Sequence, residues 1–219
     1  MKRKVLMINI VFFLTILAGD LCYMEYGGLW LKGLTSFGFV LMGLVNCLLC
    51  RRQRRGGSDF PLVMVLGLTL CMLGDIVLNL SFVPGAALFA LGHLFYFIAY
   101  CRLEGFRAGD LLPCALIFGV SLLILKCVPS LEFGSALFEW VCIAYALIIS
   151  LMVGKAVANL FRRRSLLRAL LVVGCVLFYF SDLMLVFDWF ADAPTGVYCL
   201  LSYYPAQCLL AWSVCCEEA

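Results

Sequence analysis

Charge is scarce in this sequence, and histidine is nearly absent. Of 219 residues 13% are Asp, Glu, Lys or Arg, and His93 is the single histidine. The apolar share is 65% and the mean hydropathy +1.09, well above the roughly 45 to 50% apolar content of soluble domains. A water-soluble globule is therefore excluded, and an integral membrane protein remains. The formal net charge of +3 is a matter of membrane topology and gives no signal for nucleic acid. One histidine makes a zinc site unfavourable, no cysteine pair has zinc-like spacing, and no metal or other cofactor is called for. Long polar segments are missing too. No connection is long enough for a soluble domain, so residues 1–219 form a single transmembrane domain.

Apolar runs of about 20 residues are present instead, and they call for helices rather than a barrel, whose strands alternate over about 10. The predicted class is all-α: a polytopic membrane helix bundle of eight transmembrane helices near 5–23, 31–50, 61–80, 85–101, 111–127, 135–160, 166–187 and 196–215. Turn-formers and charges fill the connections: Gly27 and Gly28, the RRQRRGGSD run, Val83-Pro84-Gly85, Val128-Pro129-Ser130, FRRRS and the segment from Asp188 to Thr195. Fourteen of the sixteen Lys and Arg fall on alternate connections, with Lys32 and Lys126 on the others. By the positive-inside rule both termini are expected in the cytoplasm. The KRK start and first apolar run resemble a signal peptide. No small-residue cleavage site precedes Asp20, however, and Asp20 stands where a lipobox needs cysteine. The odd count of thirteen cysteines lies mostly inside or at the ends of apolar runs. They read as small buried hydrophobes, with Cys215 and Cys216 candidates for acylation only in a eukaryotic host.

Against this background an ionisable residue inside an apolar helix stands out. A charge at the bilayer centre costs roughly 2.5 to 3.5 kcal/mol even on lenient insertion scales. The stretch from Leu70 to Tyr96 carries two such residues, Asp75 and His93, on either side of Pro84-Gly85. A weak internal repeat supplies a counterpart. Leu73-Gly74-Asp75-Ile76-Val77-Leu78 on the third helix matches Phe180-Ser181-Asp182-Leu183-Met184-Leu185 on the seventh, each followed by a turn proline, Pro84 or Pro194. Nine residues beyond these prolines come His93 and Tyr203. Four helices per half would make this a parallel four-plus-four repeat. Counted from Pro84 at 1.5 Å per residue, Asp75 and His93 are expected level, about 13 Å below the outer ends of their helices. Asp20, Lys32, Glu139, Tyr203, Tyr204 and Gln207 also belong to the outer half, and all are expected to converge on one cavity opening away from the cytoplasm.

Other polar residues have plainer readings. Asn46, Asn79 and Ser81 suit interhelical hydrogen bonds, worth about 0.6 kcal/mol each. Tyr100, Trp140, Tyr179, Trp189 and Trp212 suit an interfacial belt, and Glu132, Asp188 and Asp192 suit solvated loops. A lone His93 can equally be a packing residue. Two aspartates at matched positions are harder to explain structurally, because burying a carboxylic acid costs stability that an apolar residue would not.

Gly74-Asp75-Ile76-Val77-Leu78, Gly92-His93-Leu94-Phe95-Tyr96, Phe180-Ser181-Asp182-Leu183-Met184-Leu185 and Tyr203-Tyr204-Pro205-Ala206-Gln207, in this order, resemble the YhhN family of membrane proteins, which includes the lysoplasmalogenases. Lys32 before an apolar helix and Tyr145 seven residues before Met152 fit as well, while Gly33 departs from an expected proline. The resemblance spans essentially the whole chain. It implies hydrolysis of the vinyl ether bond of a lysophospholipid held in the bilayer, yielding a fatty aldehyde and glycerophosphocholine or glycerophosphoethanolamine. The host membrane would be the cytoplasmic membrane of a bacterium or the endoplasmic reticulum of a eukaryote.

The residues suit that reaction. Protonating the β-carbon of a vinyl ether leaves an oxocarbenium ion that water captures, so an acid and an anion are needed. A carboxyl group desolvated among apolar helices favours its neutral form and can serve as the acid, while a second carboxylate stabilises the cation and activates water, as in glycoside hydrolysis. The expected catalytic set is Asp182 as acid and Asp75, with His93 nearby, as the ionised partner. Lys32 would hold the lipid phosphate, with Tyr203, Tyr204, Gln207, Glu139 and Asp20 as further substrate-binding candidates. Two other classes remain open at this stage. One is a proton-coupled transporter or lipid carrier with Asp75, His93 and Asp182 as its relay, although no helix carries paired midplane Gly or Pro interruptions. The other is a metal-dependent hydrolase liganded by the same three residues.

Overall fold

A computed structural model describes residues 3–51 and 59–216. Most of the RRQRRGGSD run and Lys2 lie outside the described residues. Among those described, eight α-helices account for the fold, with no strand: α1 (Arg3–Tyr26), α2 (Leu29–Arg51), α3 (Phe60–Leu78), α4 (Phe82–Leu103), α5 (Leu111–Cys127), α6 (Ala136–Arg162), α7 (Leu166–Phe190) and α8 (Gly196–Ser213), with one 3₁₀ turn before α5. The bundle is all-α, and seven of these helices, α1 to α7, are long and apolar enough to cross a membrane. α8 is long enough, but its serines, tyrosines, Pro205 and Gln207 dilute its hydropathy. It is sheathed by α7, α2, α1 and α3, so half of its residues are buried against protein.

α3 with α4 and α7 with α8 form the two tightest hairpins. They are flanked by the pairs α1 with α2 and α5 with α6, and α2 meets α8 as α6 meets α4. Adding four to each helix number maps these pairs onto one another, in line with the sequence repeat, whereas the contacts of α8 with α1 and α3 have no counterpart at α4. Small residues permit the close approaches, as expected where lipid offers no hydrophobic drive between helices. A Cβ at Gly85 would stand 2.5 Å from the Leu78 Cα, and one at Gly154 would stand 2.6 Å from the Cys114 nitrogen.

One helix ends earlier than its pattern predicts. α3 stops at Leu78, where Asn79 Nδ2 folds back onto the Asp75 carbonyl at 2.6 Å. The corner is therefore Asn79 to Ser81. Pro84 and Gly85 lie in the first turn of α4, where a missing N–H costs nothing. Asp75 is then three residues from its helix end, about 4.5 Å, and His93 eleven from the start of α4, about 16.5 Å. The two are not level.

Charge is segregated by end. Around the α4–α5 connection the fully buried Asp110 takes Lys155 Nζ at 2.9 Å and an ion pair from Arg162, while Glu104 takes Arg168 at 3.0 Å. The opposite end of the bundle holds Lys32 and Lys126. The twelve described cysteines form no disulfide among themselves. Cys215 and Cys216 are buried, with their sulfurs on the Trp212 carbonyl, a placement that does not present them for acylation.

Candidate active site

Asp75 and Asp182 line one cavity of about 220 Å³ at the end of the bundle where α3 turns into α4 and α7 into α8. Lys32, Asn79, Ser181 and Tyr203 share its wall. A second cavity, almost wholly apolar, lies between the outer halves of α4, α5, α6 and α7. Leu78, Phe89, Asp182 and Leu185 line both cavities. Asp182 is thus the ionisable residue shared by the polar and the apolar space.

The two carboxylates have different company. Asp75 is held by Lys32 Nζ on Oδ1 at 3.0 Å, and on Oδ2 by Ser36 Oγ at 2.5 Å and the Tyr204 hydroxyl at 3.2 Å. All three donate, a set that fits an ionised carboxylate. Lys32 reaches it from the first turn of α2, its ammonium also 5.3 Å from the Tyr23 ring centroid. Asp182 Oδ2 accepts from the Tyr145 hydroxyl at 2.8 Å, and that hydroxyl lies 2.7 Å from His93 Nε2. Because Tyr145 gives its proton to Asp182, Nε2–H of His93 is the donor to Tyr145. His93 Nε2 itself stands 3.3 Å from Asp182 Oδ2. The imidazole is fully buried against Phe178, ring centroids 4.6 Å apart. Its Nδ1 has no hydrogen-bond partner among the described residues.

These shells repeat the packing symmetry. Asp75 on α3 is served from α2 and α8, and Asp182 on α7 from α6 and α4. Ser36 therefore corresponds to Tyr145, and Tyr204 corresponds to His93. The sequence count from the turn prolines sets Tyr203 against His93 and is one residue off, since Pro84 lies within α4 whereas Pro194 precedes α8. Tyr203 instead donates to the Cys71 carbonyl at 3.3 Å while its ring lines the polar cavity.

The remaining sequence candidates distribute as follows. His93 joins Asp182 rather than Asp75, so the three residues Asp75, His93 and Asp182 do not make one hydrogen-bonded chain. Lys32 spends its charge on Asp75. Gln207 lies behind the site, accepting from Tyr96 at 2.9 Å. Asp20 is 1% exposed beside α2 and α8, its Oδ1 without a hydrogen-bond partner among the described residues. Glu139 pairs with Lys126 at the outer surface and lines neither cavity. Among the described residues no three His, Cys, Asp or Glu side chains gather as a metal-binding group.

Several plain readings need correcting. Tyr100 is fully buried on Cys175 at 3.1 Å, so it belongs to the core and not to a belt. Tyr179 meets Ser121 at 2.7 Å, bridging α7 and α5 at the inner end of the apolar cavity. Asp188 is no free loop charge, since its Oδ1 accepts the Gly196 N–H at 2.9 Å, and it lines the polar cavity with Trp189. Asn46 does bridge helices, bonding Asn9 and the Ala211 carbonyl. Ser36 was invisible in sequence, as one serine among many.

Comparison with known families finds that the YhhN family model covers residues 38–214. The chain belongs to the YhhN family. Neither a curated protein nor a solved structure gives a match. The matched region contains both Asp hairpins and the Tyr145 helix, and it leaves out α1 and the first third of α2 with Asp20, Lys32 and Ser36.

Proposed function

We propose that this YhhN-family chain is a membrane hydrolase that cleaves the vinyl ether bond of lysoplasmalogens. The observation that carries the reading is Asp182 at the junction of a polar and an apolar cavity. In a lysoplasmalogen the vinyl ether is likewise the junction of a polar head and a hydrocarbon chain. With the glycerol oxygen in the polar cavity, the β-carbon of the double bond falls on the apolar side, within reach of Asp182.

The chemistry then divides between the carboxyls. Asp182 gives its proton to the β-carbon, and the C=C electrons form that C–H bond as the ether carbon becomes an oxocarbenium ion. Asp75, held as an anion by Lys32, Ser36 and Tyr204, faces the cation and takes a proton from the water that attacks it. The resulting hemiacetal collapses as its hydroxyl proton goes to Asp182 and the proton on Asp75 goes to the departing glycerol oxygen. Fatty aldehyde and glycerophospho-alcohol leave, and both carboxyls return to their starting states. Tyr145 and, through it, His93 orient Asp182. The Tyr145 hydroxyl fixes Oδ2, while Oδ1 accepts no hydrogen bond among the described residues and is the oxygen available to carry the proton. The pairing of a neutral and an ionised carboxyl follows the logic of glycoside hydrolysis, whose transition state is of the same kind.

The test is direct. The detergent-purified protein is given a lysoplasmalogen beside an ester lysolipid, and free aldehyde is measured. Aldehyde from the vinyl ether alone supports the reading; none at any pH from 5 to 8 overturns it. Under the positive-inside expectation the cavities face the non-cytoplasmic leaflet, and the apolar cavity lined by α4, α5, α6 and α7 is the place for the chain.

A further inference from the structure

The polar cavity has a mouth whose residues the hydrolytic step does not use. Asp188 and Trp189 stand there in the last turn of α7, and both line the cavity that Asp182 lines six residues deeper. Counted from Phe190, Asp188 is two residues in, about 3 Å, and Asp182 eight, about 12 Å. Asp188 is anchored through Oδ1, which accepts the Gly196 N–H, and its Oδ2 accepts no hydrogen bond among the described residues. Trp189 packs on Phe82, ring centroids 5.0 Å apart, yet remains 47% exposed. A carboxylate beside an exposed indole is a pairing that attracts organic cations, the one by charge and the other by its ring face.

Within the cavity wall Asp188 lies nearest the end of α7 and Asp182 six residues deeper, while the charge of Lys32 is paired with Asp75. A zwitterionic lysolipid head, followed from its tip, reads positive at the ammonium and negative at the phosphate, and vinyl ether cleavage then develops positive charge at the ether carbon. With the vinyl ether at Asp182, the ammonium tip of such a head points back toward Asp188 and Trp189. We propose that Asp188 and Trp189 bind the ammonium end of a zwitterionic lysolipid head. This deepens the hydrolase reading and rests on it for the lipid backbone. The ammonium itself, quaternary or primary, is recognised by the same pair, the quaternary form leaning more on Trp189.

Binding of saturated 1-O-alkyl lysolipids, which have no vinyl ether to cleave, tests the site without turnover. Three heads are compared on the full chain in detergent: phosphocholine, phosphoethanolamine and bare phosphate. The wild type is expected to prefer both ammonium heads over bare phosphate. Asp188→Asn, which keeps an oxygen for the Gly196 N–H, is expected to lower that preference about two- to fivefold. Trp189→Leu lowers it similarly, with the larger effect on choline. Each result is a ratio within one variant, so partial misfolding cancels. A preference absent in the wild type, or unchanged in both variants, overturns the site. Failure of the hydrolase reading shows separately, as missing aldehyde from a vinyl ether lipid.

Discussion

Lys32 Nζ stands 3.0 Å from Asp75 Oδ1, whereas among the described residues no lysine or arginine pairs with Asp182, whose neighbours are Tyr145 and His93. The main hairpins repeat in their pairing, but the charge around the two aspartates does not. Asp75 has a cation beside it and Asp182 a hydroxyl and an imidazole. This difference predicts that they fail differently when altered.

Asp75→Asn and Asp182→Asn are each expected to lower turnover of the vinyl ether substrate by at least about 100-fold, the usual scale of a lost acid–base group. Both amides keep the shape with one accepting oxygen in place of two, and Asp75→Asn is expected to be the less stable because Lys32 loses its anion, so thermal unfolding sets the folded fraction of each. Near-full activity in either variant would make that aspartate structural. Free-aldehyde release measured on both variants at matched folded fraction decides this.

Removing the lysine tests the fixed anion. Lys32→Met leaves a carboxylate buried without its cation, which costs about 3 to 5 kcal/mol when one partner of a buried pair is lost. Adding Asp75→Asn to Lys32→Met removes the orphaned charge and should restore much of the stability without restoring activity. Unfolding midpoints in detergent for the two single variants and the double variant measure the coupling. Equal midpoints for Lys32→Met and the double variant would mean that the pair is not energetically linked.

His93 is buried and lines neither cavity, so it acts through Tyr145 or only as packing. Tyr145→Phe should lower kcat about ten- to hundredfold, the value of one hydrogen bond to a charged group. His93→Gln should do less. If His93 works by orienting the Tyr145 hydroxyl, the double variant should be no slower than Tyr145→Phe alone. Additive losses, or a KM change without a kcat change, would assign His93 to packing.

Much of this was legible in the sequence, for reasons that differ by residue. The bundle and its helix count follow from apolar runs, and Asp75 and Asp182 stand out because a carboxyl group inside such a run is costly. The sharing of one cavity by both was likewise expected. Partner choice was not legible, because it depends on helix rotation. His93 was set beside Asp75 by its hairpin, but α4 turns it toward α6 and α7, where Tyr145 waits. Lys32 looked like a phosphate ligand because it is near a helix start, yet its long side chain follows α3 inward to Asp75. Glu139 shares the outer half in sequence and faces Lys126 across α5 and α6 instead. The early stop of α3 was hidden because Leu80 and Val83 continue the apolar pattern, while the deciding bond, Asn79 onto the Asp75 carbonyl, is a local geometry that no spacing encodes.

The company Asp75 keeps also speaks to metals. With Oδ1 on a lysine and both Oδ2 contacts on hydroxyls, Asp75 already has a cation beside it, and no group of three potential ligands forms among the described residues. Activity is therefore expected to survive exhaustive EDTA dialysis with less than about a twofold change in rate. A large loss restored by one divalent ion would bring the metal-dependent reading back.

The last prediction separates two adjacent tyrosines. Tyr204 donates to Asp75 and also meets Ser36 at 3.2 Å, whereas Tyr203 donates to the Cys71 backbone carbonyl and presents its ring to Phe39, Phe89 and Phe178. Tyr204→Phe removes one of three donors that hold the anion, so kcat should fall about tenfold with KM little changed. Tyr203→Phe keeps the ring that lines the cavity and loses a 3.3 Å bond to a carbonyl already engaged in a helix, so kcat should stay within about twofold. Combining Ser36→Ala with Tyr204→Phe should cost more than either alone, because Asp75 Oδ2 then keeps no hydroxyl donor and the lysine alone must fix the carboxylate. If Tyr203→Phe is the slower enzyme, the equivalence of Tyr204 with His93 is wrong, and with it the assignment of Tyr204 to the anion of the site.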